Sequence, residues 1–217
     1  VAPSTRKAMD EDRCDYTPCF FKELPLIMQD GTLPCDVAMI TVSPPDKVGN
    51  CSLGISVCYD YTAAKAAKKV IAEVNPNMPF TLGDSSLHVS EIDCFVWTER
   101  PIVTAPRPKI EKIEAKIGAH CAFLIEDGDC LQLGYGALPE AVLGFMGEKN
   151  DLGIHSEMIS DGVMQLVEKG VITCARKNFK NRKIVITFAI GTKAFYDRMH
   201  LNSMIEMNPV EYINDPN

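Results

Sequence analysis

Short apolar runs, each ended by proline, glycine or asparagine, mark out the first hundred positions. Val37-Ala-Met-Ile-Thr-Val42 predicts a buried strand, and Ser43-Pro-Pro-Asp-Lys-Val-Gly49 a turn-rich loop after it. Ile55-Ser-Val-Cys-Tyr59 predicts another short strand. Asp60 or Thr62 is placed to cap a helix over 63–69, rich in Ala and Lys. Strands follow at 70–74, ended by Asn75-Pro-Asn-Met-Pro79, and at 93–97. Ahead of these, the polar stretch 4–9 can enter a helix. Residues 20–28 have helical spacing interrupted by Pro25, which predicts a short or kinked helix. The order strand, helix, strand favours a parallel sheet.

Pro101, Pro106 and Pro108 make 100–108 the best linker in the chain. A helix is predicted over 109–125, with Ile110, Ile113, Ile117 and Leu124 on one side, closed by Asp127-Gly128. Beyond it strands and helices alternate: strand 130–134, loop 135–140, helix 139–146, strand 152–156, helix 162–169, strand 183–190, helix 192–199. Ser160 or Asp161 caps the helix at 162. Residues 204–212 alternate like a strand and are assigned core packing only. The pattern is that of a doubly wound α/β sheet. The fold class is therefore α/β, divided at the linker into 1–107 and 108–217.

Composition changes this picture little. Of 217 residues, 46% are hydrophobic and 24% charged, ordinary values for a soluble protein. The net charge of −7 argues against a nucleic-acid partner, though not against a locally bound anion. No apolar run reaches the length of a membrane span, and no signal peptide is evident. Nine cysteines without metal or redox spacing read as reduced, mostly buried thiols of a cytoplasmic protein. The start at Val1 and the stop just after strand-like sequence suggest a segment of a longer protein.

Two places invite chemistry. Glu157 falls where a strand gives way to a turn, the edge at which open α/β sheets bind ligands. A carboxylate there can act as nucleophile or general base; equally, it is a solvated surface glutamate. The loop Gly134-Tyr-Gly-Ala-Leu-Pro-Glu140 occupies the equivalent place one unit earlier, where bare backbone donors at a helix start can hold an anion or an oxyanion. It lacks the spacing of a dinucleotide or phosphate-binding loop. Together the two signals bring the functional reading level with the bland one. His155 would share Glu157's face and either orient it or simply pack. Ser156 and the cysteines lack the partners of a nucleophile, and His88, His120 and His200 lack metal-ligand spacing.

Asp151-Leu-Gly-Ile-His-Ser-Glu-Met-Ile-Ser-Asp-Gly162 resembles the active-site segment of the acetyl-CoA hydrolase/transferase family, nearest its 4-hydroxybutyrate CoA-transferase branch. Leu133-Gly-Tyr-Gly-Ala-Leu-Pro-Glu-Ala-Val-Leu143, Ile71-Ala-Glu-Val-Asn-Pro-Asn-Met-Pro79, Val42-Ser-Pro-Pro-Asp46 and Val210-Glu-Tyr-Ile-Asn-Asp-Pro216 resemble the same family in the same order. The resemblance covers essentially the whole chain. It implies two related, open, mostly parallel α/β domains of CoA-transferase type, both incomplete here. Residues 1–107 would be the C-terminal part of the first, and 108–217 the N-terminal part of the second.

It further implies that Glu157 is a nucleophile in ping-pong transfer of CoA from an acyl-CoA, such as acetyl-CoA, to a short-chain carboxylate such as 4-hydroxybutyrate or butyrate. An acyl-glutamyl anhydride and a glutamyl-CoA thioester would be the intermediates. Gly134, Gly136 and Ala137 would contact substrate or CoA. No metal and no cofactor is implied, since CoA is a substrate. The expected partners are acyl-CoA and a carboxylic acid, with no membrane, and a homo-oligomer is expected. Family members extend beyond both ends of this chain, with part of the pocket before Val1 and a glycine-rich loop after Asn217. Tyr135 stands where they usually carry a small aliphatic residue, which bears on acyl preference. Three other readings stay open: an acyl-CoA hydrolase using the same nucleophile, a non-catalytic CoA-binding module, and a Rossmann-like nucleotide-binding domain, against which the glycine spacing counts.

Overall fold

A computed structural model describes residues 3–216. Its first half contains helices α1 (Pro3–Asp10), α2 (Glu23–Gln29) and α3 (Asp60–Ala66) and a sheet of three parallel strands. These are β1 (Val37–Val42), β3 (Lys69–Val74) and β5 (Cys94–Trp97), in that order. Ala38, Ile40 and Val42 pair with Val70, Ala72 and Val74 and are buried with them. The opposite face is open, and Met39 is 80% exposed. A short antiparallel pair, β2 (Asn50–Ser52) with β4 (Ser86–His88), lies beside this sheet.

Two local expectations need correction. Residues 55–59 are not a strand: Cys58 has φ +31, and Val57 and Cys58 both donate to the Thr187 carbonyl, so the segment turns. Helix α3 begins at Asp60 and ends before Ala67, whose extended backbone leads into β3. The short or kinked helix expected over 20–28 is the short helix α2, with Pro25 in its first turn, where a missing N–H is tolerated.

The second half holds α4 (Lys112–Phe123), α5 (Ala137–Gly144), α6 (Asp161–Glu168), α7 (Lys193–Met199) and α8 (Val210–Ile213). Its strands are β6 (Cys130–Leu131), β7 (Gly153–Ile154), β8 (Met158–Ile159), β9 (Ile184–Ile186), β10 (Phe188–Ala189) and β11 (Ile205–Met207). β6 pairs with β7, β8 with β10 and β9 with β11, all parallel, and a His155–Val185 bridge joins β7 to β9. Among the described residues β6, β7, β9 and β11 thus add in chain order, with Gly83 bridging to β11 at Met207. The predicted strands 152–156 and 183–190 are each interrupted, the second at Thr187. The stretch 204–212 divides into β11 and α8.

Helix α4 departs most from its sequence pattern. Ile110, Ile113, Ile117 and Leu124 are exposed, and the buried residues are Gly118 and Ala122. The helix packs closely on α5: a Cβ on Gly118 would lie 2.8 Å from the Ala141 backbone. Contact by small residues, not the apolar stripe, sets this interface.

Residues 98–111 carry no regular structure before α4. They lie as a strap against the second half: Ala105 N–H donates to Gly191 O at 2.9 Å, Tyr196 Oη donates to Val103 O at 3.2 Å, and Arg107 lies 3.6 Å from Asp161. Gly83 bridges to Met207, and the 80–83 loop accepts from Leu201 and Met207. Among the described residues no helix is long and apolar enough to cross a membrane.

Candidate active site

Glu157 lies between β7 and β8, in the three-residue break His155-Ser156-Glu157. Each residue of the break reaches a different neighbour. His155 Nε2 donates to Ile213 O at 3.1 Å; it packs against α8 and does not orient the carboxylate directly. Ser156 is buried, its Oγ donating to Leu133 O at 3.1 Å and accepting from Leu133 N–H at 2.9 Å. The hydroxyl therefore pins the glycine loop to the residue before Glu157. The Glu157 carbonyl takes both Thr187 N–H and Phe188 N–H at 3.1 Å, across the matching break between β9 and β10.

The Glu157 side chain is half-buried. Its Oε2 accepts from Asn214 Nδ2 at 2.9 Å. His155 holds Ile213, the residue before Asn214, so the break carries both the carboxylate and the anchor of its partner. Asn214 is not apparent from sequence as a site residue. It stands in the 210–216 stretch that carries the family resemblance, where no site role was assigned, 57 positions from its partner.

Two cavities meet at this carboxylate. The larger, about 370 Å³, is lined by Gln132, Leu133, Gly134, Tyr135, Glu157, Met158 and Phe188. The smaller, about 260 Å³, is bounded by Gln132, His155, Ser156, Glu157 and residues 213–216. Gln132 and Glu157 line both, and Gln132 too has no signal in the sequence pattern.

Gly134 reaches the larger cavity. Gly136, with φ +131, precedes α5 at its N-cap position, and Ala137 opens that helix; neither lines the two cavities. Pro139 lies in the first turn of α5, as predicted. The Ser160 hydroxyl, at the N-cap position of α6, donates to the Glu140 carboxylate and so ties α5 to α6. Asp161 is buried and accepts from Thr192 N–H at 2.9 Å and Thr192 Oγ1 at 2.6 Å.

Cys58 turns toward the same region. Burial pushes its thiol up to about 11, with Asp60 and Glu157 contributing repulsion, so it stays a neutral thiol. Burial also raises the Asp60 carboxyl, partly offset by a hydrogen bond from Ser56. All nine cysteines are free. Only Cys51, Cys58 and Cys174 are buried, fewer than their sequence contexts suggest.

Comparison with known proteins bears on this geometry. Residues 1–105 match the model of the acetyl-CoA hydrolase/transferase N-terminal domain. The whole chain is 54% identical to the 4-hydroxybutyrate coenzyme A transferase of Clostridium kluyveri, covering 50% of that protein. It is 41% identical over 98% of its length to the succinyl-CoA:cyclohexane-1-carboxylate CoA transferase of Geobacter metallireducens, covering 48% of it. The crystal structure of a 4-hydroxybutyrate CoA-transferase from Porphyromonas gingivalis superposes with a TM-score of 0.90 at 40% identity, over 99% of this chain and 55% of that one. The chain spans about half the length of the relatives it matches.

Proposed function

The chain belongs to the acetyl-CoA hydrolase/transferase family, and from that premise we propose that it carries the nucleophile of a CoA-transferase. The reaction moves CoA between an acyl-CoA, such as acetyl-CoA, and a short-chain carboxylate such as 4-hydroxybutyrate or butyrate. The observation that carries this reading is the meeting of two cavities at one carboxylate. Transfer through a covalent intermediate needs an acyl group on one side of the nucleophile and a thiol on the other.

In this reading a Glu157 oxygen forms a bond to the thioester carbonyl carbon, the C–S bond breaks, and CoA leaves as thiolate. The thiolate attacks the glutamyl carbonyl of the resulting anhydride and releases the first acid as its carboxylate. The product is a glutamyl-CoA thioester. A second carboxylate takes CoA by the reverse steps. Asn214 holds one oxygen of Glu157, and its N–H is placed to follow that oxygen as charge develops on it. The apolar walls Leu133, Met158 and Phe188 support placing the acyl chain in the larger cavity, with the Gly134 backbone beside it. Gly136 and Ala137 act by starting α5 behind that loop. CoA is a substrate, and no further cofactor enters. The division into 1–107 and 108–217 belongs to the same proposal.

The test is chromatography of acyl-CoA species after incubating the protein with butyryl-CoA and acetate. Acetyl-CoA forms with wild type and not with Glu157→Gln. Free CoA accumulating without acetyl-CoA would make the protein a hydrolase instead. Exchange by Glu157→Gln would remove Glu157 from the chemistry.

A further inference from the structure

The backbone and the carboxylate of Glu157 are held by different neighbours, and both neighbours are gripped by one segment of the first half. The turn 55–58 lies against β10: Ala189 N–H donates to Ile55 O, Ser56 bridges Phe188, and Val57 and Cys58 N–H donate to Thr187 O. Thr187 and Phe188 in turn donate to the Glu157 carbonyl. The same segment holds α8. Val210 N–H donates to Cys58 O at 3.0 Å, and the Thr62 hydroxyl of α3 donates to Glu211 Oε1 at 2.5 Å, across 149 positions. Asn214 follows α8 and bonds the Glu157 side chain. Every residue lining the two cavities belongs to the second half. The first half reaches the site through these bonds.

Helix α8 is a single turn of four residues, too short for its own hydrogen bonds to fix its place. Val210 and Ile213 are buried, and His155 Nε2 bonds Ile213 O. Backbone bonds at its first and last residues set where the helix lies. The Thr62–Glu211 bond lies off that line, on a side chain, and sets how the helix is turned. Thr62 is buried, and Glu211 Oε2 is buried with no hydrogen-bond partner among the described residues. The Glu211 carboxylate thus depends on one donor. Without it a partly buried charge has none, which costs more than an ordinary hydrogen bond. Turning α8 to hydrate that charge also turns Asn214, three residues on.

We propose that Thr62 and Glu211 are positioning residues for the transfer reaction: their hydrogen bond sets the turn of α8 and so keeps the Asn214 amide on the Glu157 carboxylate. This rests on the reading of Glu157 as the nucleophile. Thr62 and Glu211 touch no reacting group and act only through Asn214.

The test is a kinetic cycle on exchange between butyryl-CoA and acetate. Thr62→Val keeps the side-chain shape and removes the hydroxyl; kcat falls by about tenfold, with KM for acetate within about twofold of wild type. Thr62→Ser keeps the hydroxyl and retains kcat. In an Asn214→Ala background Thr62→Val costs nothing further, because the group it positions is gone. Thr62→Val combined with Glu211→Met removes both polar partners, which spares the fold, and kcat still falls. An equal loss with and without Asn214 makes the bond structural only and overturns the proposal, as does an unchanged kcat in the double variant. Absence of exchange by the wild type overturns the CoA-transferase reading, and this inference with it.

Discussion

The two parallel sheets differ in regularity, and the difference locates the site. β1 and β3 run six residues each and pair without interruption from Val37–Lys69 to Val42–Val74. Their side chains alternate in and out, as an unbroken ladder requires. In the second sheet β7 and β8 are two residues each, and the gap between them holds His155, Ser156 and Glu157. The neighbouring strands break opposite, at Thr187. The break lets one carbonyl take two N–H groups and turns three successive side chains toward α8, the glycine loop and the cavities. Regular pairing makes a wall; interrupted pairing makes a site.

The contrast can be broken by mutation, in decreasing order of effect. Asn214→Ala removes the donor on the Glu157 carboxylate, and kcat falls by about 10²- to 10³-fold, read by steady-state kinetics with the fold checked by circular dichroism. Ser156→Ala leaves the part-buried Leu133 N–H and C=O without this partner. It destabilises by about 1–3 kcal/mol in denaturant titration and raises KM as the glycine loop loosens. Met39→Ser, on the open face of the regular sheet, changes stability by less than about 0.5 kcal/mol and leaves kcat as it was.

The smallest effect is a pH dependence at Asp60. Its folded carboxyl is raised by burial, so the folded state binds the proton more tightly than the unfolded chain. Its contribution to stability is present below the unfolded value and is lost as pH rises through the folded one. Asp60→Asn flattens that part of the stability profile. A larger effect from Met39→Ser than from Ser156→Ala would reverse the account of which sheet matters.

Much of this was legible in sequence where local chemistry decides structure. The apolar runs gave β1, β3 and β5, and the helix expected over 192–199 is α7, whose N-cap is Thr192, accepting from Phe195 N–H. Glu157, expected where a strand gives way to a turn, instead lies in a break, with β8 resuming at Met158 before α6 begins. What escaped depends on contacts distant in the chain. Nothing in 55–59 announces that Thr187 will turn it. The exposed Ile113 and Ile117 of α4 follow from Gly118 meeting Ala141, which periodicity cannot foresee. Asn214 and Gln132 reach Glu157 only because α8 and β6 bring them there. The Ser160 hydroxyl, read as a cap, goes to Glu140 instead.

The most direct test of the central claim is the intact mass of the protein after incubation with acetyl-CoA or butyryl-CoA, beside Glu157→Gln. The account predicts a CoA adduct on wild type that borohydride reduces and the variant lacks. The same adduct on both proteins, or on neither, would contradict it.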